Sequence, residues 1–511
     1  MFPASSGGYS FTAALADEQA TRRLMADIAC AIEPGDLITL SGDLGAGKTT
    51  FARALIRYLA GDETVEVPSP TFTLMQGYEL PRFTLIHADL YRLSGPSELA
   101  ELGFEDLSAG AVTLLEWPDR AAGVLPTDRF DIAFTLSPQH GPTYRNARVT
   151  GYGKFATRAE RIGIIRRFLD RNGFGMAARR RIQGDASTRS YERLTRDGTS
   201  FILMNAPKRP DGPPVRDGKP YSAIAHLAES VTPFIAMARA LSERGFSAPQ
   251  LYATDREAGL LVLEDLGDDL VVAGEPPRPI ESRYEVATDV LAALHSQALP
   301  EVLPVEPGVD YALPRYDMDA MLIEVELLPD WYLRKLGVRL SDAKRDTYLS
   351  LWRDSLTPMT EVAPTWILRD YHSPNLLWLA DRPGIAHVGL LDFQDAVLGS
   401  SAYDVASLLQ DARVDVAETI EIALLARYMR ARHNADPDFD AADFARDYAT
   451  MAAQRASKIL GIFARLEKRD GKPQYLRHMP RVRAYLQRAL AHPALAPLAA
   501  WYRANVPALK T

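Results

Sequence analysis

Eight consecutive residues, Gly42-Asp43-Leu44-Gly45-Ala46-Gly47-Lys48-Thr49, constrain this chain more than any other stretch. They match G-x-x-x-x-G-K-[ST]. The apolar run at residues 37–40 predicts a short buried strand before them. Phe51, Leu55 and Leu59, at helical spacing, predict a helix over residues 50–59 after them. A strand that passes through a glycine loop into a helix leaves backbone N–H groups to surround phosphate oxygens, and the helix start adds partial positive charge. In that context Lys48 reaches the β- and γ-phosphates and Thr49 holds Mg²⁺. Gly42, Gly45, Ala46, Gly47 and Thr50 complete the expected nucleotide contacts.

That loop ends by residue 50 of 511, and a chain of this length exceeds one ordinary core. Cys30 is the single cysteine, which excludes an intramolecular disulfide and a cysteine metal cage. No apolar run is long enough to span a bilayer. These features predict a cytoplasmic protein without a membrane partner. Residues 1–154 carry 12 Lys+Arg against 19 Asp+Glu, an acidic balance unsuited to gripping nucleic acid by its phosphates. Residues 155–181 are the exception. Arg158, Arg161, Arg166, Arg167, Arg171, Arg179, Arg180 and Arg181 stand there against only Glu160 and Asp170. Such a run predicts a solvated helical face, with a partner- or RNA-binding patch as the less favoured reading.

Gly151 and Gly153 mark a boundary after a β-rich segment and before the arginine-rich helix. The expected division is a P-loop domain at 1–154, an arginine-rich linker helix at 155–181 and a second domain at 182–511. Strand and helix signals alternate in the first, which predicts an α/β fold on a mostly parallel sheet. The second opens on strands at 190–195 and 200–204, joined through Asp197-Gly198, a good hairpin turn. A further strand at 260–263 and a helical C-terminal third predict a bilobal α+β domain.

In the first domain, Ser69-Pro70-Thr71-Phe72 forms a rigid, hydroxyl-bearing turn. Predicted strands at 83–86 and 112–115 run into Asp89 and into Glu116-Trp117. Carboxylates at strand ends beside a P-loop hold Mg²⁺ or orient an attacking water. Read together, the octet, Ser69-Pro70-Thr71-Phe72, His87-x-Asp89-x-Tyr91-Arg92 and Glu116-Trp117 closely resemble the TsaE family over about residues 8–150. These are the ATPases of bacterial tRNA threonylcarbamoyladenosine synthesis. The resemblance implies ATP hydrolysis in support of the proteins of the threonylcarbamoyl-transfer complex, which act at adenosine 37 of tRNA, without direct tRNA binding by this domain. It carries Lys48 and Thr49 over as phosphate and Mg²⁺ contacts, Asp89 and Glu116 as the acids of the metal and water site, with Glu116 catalytic, and Trp117 beside the nucleotide.

In the second domain, Arg369-Asp370-Tyr371-His372-Ser373-Pro374-Asn375 places Asp370 five residues before Asn375. An apolar strand then leads into Asp392-Phe393-Gln394. This order is that of a kinase: Asp370 accepts the acceptor hydroxyl's proton, and Asn375 and Asp392 hold Mg²⁺ against the phosphates of ATP. The segment 183–191, with Arg189, is the expected turn over the phosphates. Leu263-Glu264-Asp265-Leu266-Gly267 is the expected adenine hinge, with Glu264 and Leu266 at the nucleotide. Gln394 replaces the glycine of Asp-Phe-Gly, and Ala402-Tyr403-Asp404-Val405-Ala406 follows in place of a long activation segment. That tail resembles the aminoglycoside phosphotransferase superfamily. Gly184-Asp185-Ala186-Ser187, Leu203-Met204-Asn205-Ala206-Pro207 and Arg369-Asp370-Tyr371-His372 look like its AmgK-type members, anomeric kinases of N-acetylmuramate and N-acetylglucosamine in cell-wall recycling.

Within the helical lobe, Glu324, Glu326 and Trp331 are the expected sugar contacts, since carboxylates bind hydroxyls and aromatic faces suit pyranose rings. An amphipathic helix with surface acids is the alternative for this segment. Met204 and Asn205 stand where a kinase strand carries its lysine, and Lys208 and Arg189 are the candidate replacements. The absent lysine keeps a pseudokinase scaffold open, and an aminoglycoside- or choline-type kinase is the other alternative.

Overall fold

The computed structural model describes residues 8–101, 109–141, 143–182, 189–208 and 212–509. Most of the expected phosphate turn of the second domain, residues 183–188, lies outside the described residues. By packing, the chain forms two units, Met1–Asn205 with Leu260–Val262, and Ala206–Gly259 with Leu263–Thr511.

The first unit is built on a seven-stranded sheet of β1 (Tyr9–Leu15), β2 (Leu37–Ser41), β3 (Met75–Glu79), β4 (Thr84–Asp89), β5 (Val112–Glu116), β6 (Arg129–Leu136) and β7 (Arg145–Tyr152). The order is β1-β7-β6-β2-β5-β4-β3. Strands β6, β2, β5 and β4 are mutually parallel, and antiparallel strands close both edges. β2 and β5 are near-continuous apolar runs because helices cover both faces of a parallel sheet. Helix α1 (Glu18–Ala31) starts where Asp17 accepts the Ala20 N–H at 2.8 Å. Helix α2 (Lys48–Ala60) starts at Gly47, whose φ of 102° only glycine adopts without strain. Its Phe51, Leu55 and Ile56 join Leu24, Ile28, Ile38, Leu114 and Phe130 in one core. The short helix α3 (Pro96–Glu101) follows β4.

Register fixes the site. Leu40 of β2 lies opposite Glu116 of β5, and Glu116 lies opposite Asp89 of β4. The P-loop and both acids therefore leave the sheet at the same, C-terminal edge, where open parallel sheets bind ligands.

Helix α4 (Phe155–Arg171) and the antiparallel strands β8 (Ala178–Ile182), β9 (Ser190–Arg196) and β10 (Thr199–Asn205) pack into this same unit. The hairpin from β9 to β10 turns through Asp197 (φ 51°) and Gly198 (φ 76°), as the Asp-Gly pair predicts. Packing thus divides the chain at Asn205, beyond the residue 154 boundary expected from composition, because the arginines expected on a solvated face are largely consumed inside. Arg158 donates to Asp36 at 2.9 Å and Arg161 to Asn205 Oδ1 at 2.9 and 2.6 Å. Arg166 and Arg179 both pair with Asp27 of α1. Arg179 also binds Glu192 at 2.7 and 3.1 Å, Arg181 donates to the Cys30 carbonyl at 2.9 Å, and Tyr58 donates to the Arg179 carbonyl. Arg167, Arg171 and Arg180 remain exposed.

The second unit is dominated by helices. They include α5 (Met318–Val325), α6 (Ala402–Leu409) and the 30-residue α7 (Ala441–Asp470), capped by Asp440 at its start and by Gly471 at its end. Short antiparallel ladders pair Thr365–Ile367 with Val397–Gly399, and Leu376–Trp378 with Val388–Leu390. Asp370 lies between the first strands of these pairs, and Asp392 lies just after Val388–Leu390. Among the described residues no helix is long and apolar enough to cross a membrane.

Asp27 is 1% exposed and neutralises two guanidiniums. Breaking a buried ion pair costs about 3–5 kcal/mol. Glu192 still holds Arg179 in Asp27→Ala, so the expected loss is at the low end, about 3 kcal/mol in urea unfolding of the full chain. A loss under about 0.5 kcal/mol, the size of an ordinary surface substitution, contradicts a buried tie.

Candidate active sites

The P-loop curls because its glycines permit it. A Cβ on Gly42 (φ 134°) would meet the Phe134 carbonyl at 2.4 Å. Arg145 pins the loop from β7, its Nε donating to the Ala46 carbonyl at 2.8 Å. The Lys48 ammonium donates to the Gly42 and Asp43 carbonyls at 2.7 and 3.0 Å, and sits 3.7 Å from the centre of the Trp117 ring. Burial lowers its pKa, against the pull of Glu116, Asp89 and Asp43. Trp117 itself has φ 59°, a left-handed conformation that turns the chain immediately after Glu116.

The two acids are buried and oriented. Glu116 accepts from Thr49 Oγ1 at 2.8 Å, and its other oxygen lies 2.9 Å from His87 Nε2. Asp89 accepts from Thr71 Oγ1 at 2.7 Å and from the Tyr91 N–H at 3.0 Å. The structure thus brings Lys48, Thr49, Asp89, Glu116 and Trp117 to one strand edge, and places His87 and Thr71, both within the motifs read from the sequence, against the acids. His87 stands in the His87-x-Asp89-x-Tyr91-Arg92 motif, which carries no role for it until its contact with Glu116 is known.

In the second unit, Arg369 (φ 65°) and Asp392 (φ 57°) are held in left-handed conformations, which persist only where surrounding contacts impose them. Asp404 of α6 does so for the first: it accepts the Leu368 and Arg369 N–H groups at 2.6 and 2.9 Å. Burial, with Asp370 nearby, pushes the Asp404 carboxyl up to about 7 despite those bonds. His372 Nε2 lies 2.9 Å from the Arg413 guanidinium, which can only donate, so His372 is neutral and its Nδ1–H donates to the Asp370 carbonyl at 2.9 Å. Burial keeps its pKa below the ordinary imidazole range. Burial alone would raise Asp370, but His372, Lys458, Arg369 and Arg455 overcome it and hold its pKa low. With His372 neutral, that charge falls to the lysine and the arginines, and Asp370 is ionised at neutral pH.

Asn375 donates Nδ2–H to the Asp370 carbonyl at 2.9 Å, which keeps its amide oxygen as a donor for a cation. Gln394 donates to Asp392 Oδ1 at 2.8 Å, so the residue in the usual glycine position aims this carboxylate. Phe393 stacks on Phe234 at 4.9 Å and anchors the segment in the core. In the hinge, the Glu264 carboxylate pairs with Arg382 and accepts the Gln250 N–H at 3.2 Å. Leu266 is buried against Gly389. Arg189 lies just ahead of β9, beside residues outside the description.

The expected sugar contacts need correction. Glu324 is fully buried, with its oxygens taken by Arg369, by Lys458 at 2.8 Å, by Tyr316 at 2.5 Å and by Gln454 at 3.0 Å. Burial would raise its pKa, but Lys458 and Arg369 bring it to about 2. Glu326 is tied to Arg216 and, at 2.7 Å, to Arg345. Both carboxylates hold the protein's own cations, and Glu324 acts on the site by fixing Arg369 next to Asp370. Trp331, half-buried in the turn at Leu328–Leu333, keeps a partly accessible ring.

Residues 15–145 match the model of the family described as threonylcarbamoyl adenosine biosynthesis protein TsaE. Residues 178–445, more than half of the chain, match that of the phosphotransferase enzyme family. The chain belongs to the phosphotransferase enzyme family. It carries a TsaE domain ahead of it. An N-acetylmuramate/N-acetylglucosamine kinase of Caulobacter vibrioides is 41% identical over 362 residues, covering 68% of this chain and 98% of that one. A kinase of the same name from Pseudomonas aeruginosa is 34% identical over 320 residues, 61% and 84% of the two chains. The tRNA threonylcarbamoyladenosine biosynthesis protein TsaE of Rickettsia bellii is 41% identical over 122 residues, 24% of this chain and 84% of that one. Both families act on ATP.

Among the described residues no three His, Cys, Asp or Glu side chains form a metal cage. Each of the two sites instead offers hard oxygen donors in ones and twos. This suits Mg²⁺, which takes one or two protein carboxylates and fills its shell with phosphate and water.

A carboxyl at about 7 has a signature in stability. Folded Asp404 binds its proton more tightly than the unfolded chain does, so its contribution is full below about pH 4 and is lost as pH rises through about 7. Asp404→Asn cannot titrate. The stability of the native protein relative to this variant is therefore expected to fall across that window in urea unfolding, and a flat difference contradicts the assignment.

Proposed function

We propose that this chain is a bifunctional enzyme of the cytoplasm. Its first part is an ATPase that supports tRNA threonylcarbamoyladenosine formation through the proteins of the threonylcarbamoyl-transfer complex. Its second part phosphorylates the anomeric hydroxyl of N-acetylmuramate and N-acetylglucosamine. The observation that carries the reading is that full-length relatives of both kinds align to successive parts of one chain, each with its reactive groups present. We assign residues 1–154 to the first activity and 182–511 to the second, with 155–181 as the connecting segment.

In the kinase, ionised Asp370 accepts the proton of the anomeric hydroxyl as its oxygen attacks the γ-phosphorus. The new O–P bond forms as the bond to the β-phosphate oxygen breaks, and ADP leaves with that electron pair. Asn375 and Asp392 would hold Mg²⁺, which when bound neutralises phosphate charge. Asp404 and the Glu324–Arg369 pair keep Asp370 in place. Glu264 and Leu266 flank the adenine, and Arg189 contacts phosphate.

In the ATPase, Lys48 exchanges the loop carbonyls for phosphate oxygens. Thr49 and Asp89 would hold Mg²⁺ there, and Glu116, aimed by His87, orients the attacking water. Trp117 borders the nucleotide.

Asp370→Asn keeps the side-chain shape and removes the base, so sugar-dependent phosphorylation by the full chain is expected to fall at least about 100-fold with little change in KM for ATP. Anomeric phosphate is read by phosphorus NMR. Full activity in Asp370→Asn, or no sugar phosphorylation by the native chain, overturns the kinase reading. Lys48→Ala is expected to abolish the ATP turnover that appears when the partner proteins are added, while sugar phosphorylation persists. Turnover that survives the substitution refutes the P-loop assignment.

A further inference from the structure

We propose that Arg465 reads an anionic group on the acceptor sugar, and so sets how well the kinase takes a carboxylate-bearing amino sugar against a neutral one. This rests on the amino-sugar kinase reading above. The two sugars of that reading differ by a lactyl ether that ends in a carboxylate. An enzyme that recognises the extra group gains from a cation where that group lies, one the protein has not already neutralised.

Helix α7 carries such a cation at the end of one stripe. Gln454, Lys458, Gly461 and Arg465 follow one another at spacings of four, three and four residues and share a face. The first three are committed. Gln454 donates to Glu324 at 3.0 Å and to the Tyr316 hydroxyl at 2.9 Å. Lys458 pairs with Glu324 at 2.8 Å. Gly461 lets α7 lie against the backbone at Leu327, since a Cβ there would stand 2.4 Å from the Leu327 carbonyl.

Arg465 differs. Its guanidinium lies over the Tyr221 ring at 5.2 Å, and its Nε is buried with no hydrogen-bond partner among the described residues. Desolvation works against its charge, and Arg469 adds to this, while Tyr221 and Asp470 only partly offset them. A half-buried guanidinium in that state gains from an incoming carboxylate, which it can bind through two parallel hydrogen bonds.

Its position fits the acceptor. Lys458 lies within electrostatic reach of Asp370. Seven residues of helix place Arg465 about 10 Å further along the axis. Along this face of α7, a cation that Glu324 neutralises is followed by one that makes no ion pair with a carboxylate among the described residues and lies over an aromatic ring.

The test compares kcat/KM for N-acetylmuramate and N-acetylglucosamine at saturating ATP, using the full chain, Arg465→Gln and Arg465→Lys. The ratio of anionic to neutral sugar is expected to fall at least about 10-fold in Arg465→Gln through KM of the anionic sugar, with partial recovery in Arg465→Lys. A ratio within twofold of the native one overturns the proposal, whether or not both activities drop together. Should Arg465→Gln fail to fold, ionic strength serves on the native protein. KM for N-acetylmuramate is expected to rise with salt while that for N-acetylglucosamine does not, and parallel responses overturn the proposal. A native chain that phosphorylates neither sugar overturns the underlying kinase reading instead.

Discussion

A charge taken out of water must meet its opposite, and two buried carboxylates organise this chain on that rule. Asp27 joins Arg166 and Arg179 in the first unit. Glu324 joins Arg369 and Lys458 in the second. Removing Asp27 leaves Arg166 without it and Arg179 with Glu192 alone, and removing Glu324 takes the shared carboxylate from both Arg369 and Lys458. The elements they tie are far apart in sequence: Asp27 and Arg179 are 152 residues apart, and Glu324 and Arg369 are 45. Such pairs contribute little net stability against an apolar alternative, but they admit only one arrangement of their partners. In the second unit that arrangement fixes the Arg369 guanidinium, while Asp404 holds the Arg369 backbone beside Asp370.

The parts legible in the sequence are those whose physics is local. The strand, glycine loop and helix around Lys48 form as expected because each step depends on neighbours a few residues away. The turn at Asp197-Gly198 forms for the same reason. Asp370 and Asn375 stand five apart in one short loop, and Asp392 directly follows the strand pair after it, so their order is readable from local sequence. Arg166, Arg179 and Glu324 are misread because their partners are set by packing. An arginine-rich helix looks solvated until the carboxylates that accept it are known. An acid on an apolar stretch looks like a ligand contact until it proves to be the counter-ion of a buried lysine. Asp404, which holds the catalytic loop, carries only the signal of an acid at the start of a helix after Asp392.

The catalytic loop also explains two departures from the protein-kinase pattern. Gln394 replaces a glycine, and its amide donates to Asp392, holding a carboxylate whose φ of 57° is already strained. His372, two residues after Asp370, is bound on both nitrogens, by Arg413 and by the Asp370 carbonyl. A neutral imidazole fixed in this way supports the loop backbone and brings no positive charge to the phosphates. The charge that keeps Asp370 ionised comes instead from Arg369, Lys458 and Arg455, two of which belong to α7.

The absent strand lysine follows the same economy. Met204 is buried, and Asn205 at the end of β10 accepts two hydrogen bonds from Arg161 of α4. Asn205 is therefore spent on holding the connecting helix, and a lysine there would stand against a guanidinium. Like charges at that distance repel, and the substitution that restores the usual kinase residue would loosen β10 from α4.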